Sequence, residues 1–259
     1  MVRDLRERRI PLTGCVNFRD LGGYPTKDGR RIRWRRLFRS DSLHQLTPED
    51  LAQVRALGLA VAFDLRTSAE VQLHAVPHLA AAGVRHCHVP FIPAVDRAEL
   101  ARMVDDLSGH YLRVLDTARP AIRELFGTLA EPRSYPAVIY CMAGKDRTGL
   151  AAALVLRALG VSDDHVVTDY ALTETYAGER LRARTAEILA QVGALPPAVL
   201  AATPLTMERT LATLDETYGS TEAFLLACGV TRDELKLVRA HLLEDAATDP
   251  EEAVTASPV

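Results

Sequence analysis

Ala137-Val138-Ile139-Tyr140-Cys141-Met142-Ala143-Gly144-Lys145-Asp146-Arg147-Thr148-Gly149-Leu150 passes, within fourteen residues, from a buried strand through a loop into a helix. Four apolar residues of strand length lead into one cysteine, a glycine-containing loop follows, and the apolar run 149–159 reads as a strong helix closed by Gly160. A strand that re-emerges as a helix is the repeating unit of an α/β layer. Upstream, 59–65 is a second apolar run of strand length ending in Asp64-Leu65-Arg66, and 84–91 is a third strand candidate closed by Pro90 and Pro93. Between the strands lie helical patterns. Thr47-Pro48-Glu49-Asp50 is a hydroxyl cap, a proline and two acids at the positive end of a helix that runs to Leu57 and stops at Gly58. Further helices are expected over 97–118 and 119–130, whereas 13–46 reads as loops and short strands.

From Ser162 onward the pattern is helical, over 163–177, 179–192, 206–218, 220–228 and 231–244, with a break at 193–204 around Pro196-Pro197 and Pro204. The expected fold class is therefore α/β, a central and mostly parallel sheet flanked by helices. Residues 1–246 form one domain, within which 162–204 is a candidate helical lid. The acidic, proline-bearing tail 247–259 is expected to be disordered.

The chain has 259 residues, enough to bury a sizeable core without disulfides or a structural metal. Its 31 basic and 34 acidic residues leave a net charge of -3, which argues against bulk positive attraction to nucleic acid or a membrane surface. Three of the basic residues are lysines (Lys27, Lys145, Lys236), so the other 28 are arginines, and a lysine in a motif carries more information than an arginine. The N-terminus is charged from its third residue, unlike a secretory signal, and the most apolar stretch, 150–161, is too short to span a bilayer. Cys15, Cys87, Cys141 and Cys228 form no C-x-x-C pair, so a reduced, cytoplasmic setting is the expectation, with secretion lacking a cleavable signal as the alternative.

A loop between a buried strand and a helix N-terminus can wrap a phosphate. The amides of Met142, Ala143 and Gly144, continuing through Arg147, would face the anion, Gly144 would permit the tight path, and the helix would present its positive end. The same field favours a thiolate, so Cys141 is the candidate nucleophile. Arg147 can grip two phosphoryl oxygens with its planar fork, and the Thr148 hydroxyl can donate to the sulfur. Cysteine with arginine six positions on is a weak signal in so arginine-rich a chain. The strand before, Gly144, Thr148 and the helix after are what give it weight. A nucleotide-binding Walker loop is excluded, since residue 139 is isoleucine and Asp146 stands where a magnesium-holding hydroxyl would be.

These residues resemble the signature loop of the cysteine-dependent protein tyrosine and dual-specificity phosphatases. The form Ala143-Gly144-Lys145-Asp146-Arg147-Thr148-Gly149 is similar to that of bacterial tyrosine/lipid phosphatases. The resemblance extends to Asn17-Phe18-Arg19-Asp20-Leu21-Gly22-Gly23-Tyr24, Leu37-Phe38-Arg39-Ser40-Asp41, Asp64-Leu65-Arg66 with Glu70, Asp169-Tyr170 and Tyr218-Gly219-Ser220, covering about 13 to 244. It implies a phosphatase-like α/β fold and a metal-independent, cofactor-free phosphomonoesterase working through a phosphocysteine. Its substrates would carry phosphotyrosine, with phosphoserine, phosphothreonine or phosphoinositides as further candidates. It also implies Asp146 as general acid, and Arg19 and Asp20 in the cleft. Read without the resemblance, Asp146 is a helix-start charge and Arg19-Asp20 a turn pair.

Asp64, at a strand end, competes with Asp146 for the general-acid role, but is expected rather to hold Arg147 in its gripping rotamer or to pair with Arg66. Lys145 is expected at the rim, favouring substrates with a second phosphate. The family has histidine before the nucleophile where this chain has Tyr140, which motivates a rival reading as a weakly active phosphate-binding adaptor. A small-molecule phosphomonoesterase is the nearest enzymatic rival, and a rhodanese-like sulfurtransferase a third reading, disfavoured by the Arg147-Thr148 pair. His74 with His78, and His86 with His88, have metal-like spacings, but Pro77 breaks the helix that the first would need. The arginines of 30–36 read as a solvated strand face or a lipid-headgroup patch.

Overall fold

The computed structural model describes residues 8–92, 107–192 and 201–246. Its strands are β1 (Arg19–Asp20), β2 (Arg30–Ile32), β3 (Leu37–Ser40), β4 (Val61–Asp64), β5 (Arg85–His88), β6 (Ala137–Tyr140) and β7 (Leu243–Asp245). The helices before the signature loop are α1 (Pro48–Ala56), α2 (Ser68–Leu73), α3 (Pro77–Ala81), α4 (Ser108–Thr117) and α5 (Arg119–Leu129). After it come α6 (Asp146–Ala158), α7 (Asp163–Val192), α8 (Pro204–Tyr218), α9 (Thr221–Ala227) and α10 (Arg232–Leu242).

The sheet runs β1-β3-β6-β4-β5, parallel throughout except for β1 at one edge. β6 lies in the middle, with Phe38 opposite Val138 on one side and Phe63 opposite Ile139 on the other. Side chains alternate across a strand, and the core divides accordingly. Leu37, Val61, Phe63, Ala137 and Ile139 join the cluster of Leu125, Phe126, Leu150 and Leu154 from α5 and α6. Phe38, Ala62, Val138 and Tyr140 face the other way, against Val54 of α1 and Leu79 of α3. Each large apolar side chain so buried contributes about 1.5–3 kcal/mol, which fixes the strand register and with it the exit point of Cys141.

The helix start at Thr47 forms as its residues dictate: Asp50 N donates to Thr47 Oγ1 at 3.2 Å, and Thr47 N to Asp50 Oδ2 at 3.0 Å. Three expectations are corrected. The stretches 163–177 and 179–192 are one helix of 30 residues, because Gly178 weakens a helix without removing a backbone donor. Val166, Asp169, Tyr170 and Ala177 of α7 are buried, which takes 162–177 out of the candidate lid and into the core. The expected helix over 231–244 ends at Leu242, and 243–245 become β7, paired antiparallel with β2. That pairing also places the basic cluster. Arg30 binds Asp28 (2.6 Å), Arg31 binds Glu244 (2.8 Å) and Arg33 donates to Leu243 O (2.8 Å), so these guanidiniums are engaged within the fold.

No described helix is long and apolar enough to cross a membrane. The first part of the expected helix over 97–118, most of the break at 193–204 and the tail 247–259 lie outside the described residues.

Candidate active site

The loop Cys141–Lys145 leaves the C-terminal end of β6, where ligands of parallel α/β sheets bind. Cys141 is 2% exposed. Lys145 caps α6 without a side-chain bond, so the first-turn amides of α6 receive no capping acceptor. Among the described residues, the amides of Met142, Ala143 and Gly144 donate no hydrogen bond, and the buried Thr148 hydroxyl has no partner. Gly144 takes φ +67°, and a Cβ there would lie 2.6 Å from Asp41 N, so only glycine fits this close approach to the end of β3.

Arg147 is held flat by Glu70: NH1 donates to Oε2 at 2.6 Å and NH2 to Oε1 at 2.8 Å. Glu70 is itself fixed at the start of α2, where its carboxylate accepts from Thr67 N at 2.8 Å. Burial works against the charge on Glu70, but the Arg147 fork and the Thr67 amide outweigh it and hold its carboxyl down to about 2. Glu70 was read only as part of a family motif. The signal that could have assigned it is the capping box Thr67-x-x-Glu70, which turns the carboxylate back toward the end of β4.

Asp64 therefore does not hold Arg147. It is fully buried and bidentate with Arg66 (2.8 and 2.6 Å), and it accepts from His86 Nε2 at 2.9 Å and from the Tyr140 hydroxyl at 2.7 Å. Burial alone would raise its pKa, but these donors hold it below the usual carboxylate range, a poor proton source. Tyr140, standing where histidine was expected, points to the α1 face and serves Asp64, with the Arg66 guanidinium 5.3 Å from its ring centroid.

Asp146 opens α6 with its side chain 40% exposed. Its Oδ1 accepts from the Tyr111 hydroxyl, which sits 2.7 Å from the Tyr170 hydroxyl. Burial pushes both phenols up, so they remain neutral donors. Lys145 is not at the rim. Its side chain is 2% exposed, with Nζ 3.4 Å from Asp146 Oδ1 and 3.2 Å from Ala201 O. Arg19 and Asp20 do not line the cleft either. Arg19 is buried against Asp169, and Asp20 accepts the Gly22 and Arg35 amides, each at 2.7 Å.

Beside the loop lies a pocket of about 440 Å³ lined by residues that include Ser42, His44, Gln45, His74, Met142 and Arg180. His74 is the residue that follows α2 and His78 lies in α3, so no single helix carries both, and His86 and His88 bond Asp64 and Arg66 O. Among the described residues, no three His, Cys, Asp or Glu side chains converge as a metal site.

The cysteine loop, the clamped Arg147 and Asp146 at the helix start all fall within residues 10–244, which match the model of the tyrosine phosphatase family. The chain belongs to that family. It is 29% identical over 278 residues to the triple specificity protein phosphatase PtpB of Mycobacterium tuberculosis, across 90% of this chain and 98% of that one. It is 30% identical over 246 residues to a Cupriavidus necator protein assigned to the tyrosine-protein phosphatases, across 87% and 84% of the two chains. The crystal structure of the core catalytic domain of the Saccharomyces cerevisiae PP-IP phosphatase SIW14, in complex with citrate, aligns at 14% identity with a TM-score of 0.40, covering 69% of this phosphatase and 96% of that chain. This phosphatase is thus a cysteine-dependent hydrolase of the tyrosine phosphatase kind.

Proposed function

We propose that the phosphatase hydrolyses phosphomonoesters through a phosphocysteine on Cys141, without metal or cofactor. The thiolate of Cys141 forms the S–P bond as the ester P–O bond breaks, and Asp146 gives its proton to the departing oxygen. The Asp146 carboxylate then takes a proton from the attacking water, the S–P bond breaks, and phosphate leaves with the thiolate restored. Arg147 and the loop amides hold the equatorial oxygens through both steps. The observation that carries this reading is the Arg147 fork clamped by Glu70 beside a cysteine loop in which, among the described residues, the amides of Met142, Ala143 and Gly144 donate no hydrogen bond.

Phosphotyrosine is the substrate proposed first, in keeping with the family and with the name of the Cupriavidus necator relative. Phosphoserine, phosphothreonine and phosphoinositides follow from the sequence resemblance. The polar pocket beside Met142 would take the part of the substrate beyond the ester oxygen. A lid formed by the part of 162–204 after Ala177 would carry Arg180, which lines that pocket.

The test is hydrolysis of p-nitrophenyl phosphate in EDTA. The wild-type protein should turn over, Cys141→Ser should lose at least about a thousandfold, and Asp146→Asn about a hundredfold in kcat. A wild-type protein inactive in EDTA would overturn the reading, and an unchanged Asp146→Asn would move the acid role elsewhere. Comparing kcat/KM for phosphopeptides, phosphoinositides and phosphorylated metabolites then ranks the substrate classes. The adaptor reading predicts phosphate binding without turnover in the same assay.

A further inference from the structure

The N-terminal motif reaches the signature loop through a buried network whose charges do not balance. Arg19 and Arg39 are both fully buried, and between them stands one carboxylate, Asp169. Asp169 Oδ1 accepts from Arg19 Nε at 3.1 Å, and Oδ2 from Arg39 NH1 at 2.5 Å. Arg19 also donates to Asp169 O at 2.7 Å and to Asn17 Oδ1, while the Tyr24 hydroxyl lies 3.3 Å from Asp169 Oδ1. The remaining amino group of Arg39 and the amide nitrogen of Asn17 converge on one atom. Both donate to Gly144 O, at 2.7 and 3.0 Å.

Gly144 is the middle of the loop, and its carbonyl is the group an anion would be repelled by. In a trans peptide the C=O and N–H point in opposite directions, so a carbonyl drawn to Arg39 and Asn17 turns the Lys145 N–H away from them. The two donors thus set the polarity of this peptide unit. Two guanidiniums against one carboxylate also leave a surplus positive charge behind the loop, where low dielectric makes it act strongly. Burial and the nearness of Arg19 pull the pKa of Arg39 down, with Asp169 offsetting only part, and Arg39 Nε is buried without a partner. A cation so placed is poorly compensated by the protein itself and is eased when a dianion occupies the loop.

We propose that Asn17 and Arg39 are positioning residues for oxyanion binding, orienting the Gly144 peptide and setting a surplus cation behind the dianionic phosphoryl group. The proposal rests on the phosphatase reading, in which that group occupies the loop, and the experiment separates the two.

Binding of inorganic phosphate is measured by calorimetry in full-length Cys141→Ser protein, alone and combined with Arg39→Lys, Asn17→Ser or Tyr24→Phe, with a thermal melt of each. Tyr24→Phe trims the same network without touching the loop. Arg39→Lys and Asn17→Ser should each weaken phosphate about tenfold, the scale of a lost charge-assisted or buried hydrogen bond, while Tyr24→Phe stays within about twofold. In the Cys141-intact enzyme the same two changes should raise the inhibition constant for phosphate in parallel. Should Arg39→Lys fail to fold, Asn17→Ser decides. If Cys141→Ser binds no phosphate, the phosphatase reading falls and this proposal with it. If it binds, and the Arg39 and Asn17 variants bind as tightly, or lose no more than Tyr24→Phe, the proposal alone is overturned.

Discussion

In the proposed mechanism Arg147 grips the phosphoryl group with a fork that is already aimed, and the side chain that aims it is Glu70. The pair is bidentate, and Glu70 is further tied to Thr67, so neither partner is free to swing. Glu70→Gln keeps one acceptor and removes the charge. kcat/KM should fall about tenfold to a hundredfold, with KM for the phosphate ester carrying part of the loss. The pair also predicts a pH signature of stability. Glu70 sits at about 2 in the folded protein, below the ordinary carboxylate value of about 4.3, so its stabilising effect is complete above that ordinary value. It is lost as the pH falls from there toward about 2. Thermal melts between pH 5 and pH 2 should therefore decline more gently in Glu70→Gln than in the wild-type protein. Identical slopes would remove the Glu70–Arg147 pair from the acid response. Asp64 shows why this assignment was hard from sequence. It and Glu70 are both acids near the end of β4, and only the capping box that begins at Thr67, immediately after Arg66, turns one of them toward the loop.

At the scale of elements, β4, β6 and the signature helix were legible because each is a run whose apolar pattern matches its burial. β6, β4 and α6 bury nearly every residue, so a continuous apolar run was sufficient signal. The short helices α2 and α3 carry weak patterns, with no buried residue in the first and one in the second, and they went unread. The split of α7 had a different cause, since a glycine in a helical pattern reads as a stop. Here Glu174 reaches across Gly178 to Arg182 along a continuous helix, and the glycine is buried beneath that partly exposed pair. A Cβ at Gly178 would meet Glu174 Oε1 at 2.6 Å, the far end of a flexible side chain. Displacing an exposed ion pair costs little, whereas replacing a mid-helix glycine by alanine gains about 1 kcal/mol. Gly178→Ala should therefore raise the melting temperature by about 2–4 °C. A lowered melting temperature would mean that the Glu174–Arg182 pair holds α7 more firmly than exposed pairs do.

At the scale of the molecule, a net charge of -3 conceals a local excess of cations. Several arginines away from the loop are matched by carboxylates: Arg30 with Asp28, Arg31 with Glu244, and Arg157 with Asp163 and Asp215. Around the loop the balance tips the other way. Arg147, Lys145, Arg39 and Arg19 gather near Cys141 or behind it, opposed mainly by Glu70, Asp146 and Asp169. Composition could not reveal this, because it counts charges without saying which are paired. The pairing depends on contacts 150 residues apart in sequence between Arg19 and Asp169, and 213 apart between Arg31 and Glu244. The cations are brought together only in the folded chain, so an oxyanion should bind the folded state and not the unfolded one. Inorganic phosphate at a hundred times its dissociation constant should then add about 2.7 kcal/mol to stability. At about 2–4 °C per kcal/mol for a chain of this size, the melting temperature should rise by roughly 5–10 °C. Sodium chloride at matched ionic strength should not reproduce the rise, since it screens surface pairs without occupying the loop. The rise should also be lost in Arg147→Ala. A shift of equal size with either salt would assign the effect to screening of the whole surface instead of to one site.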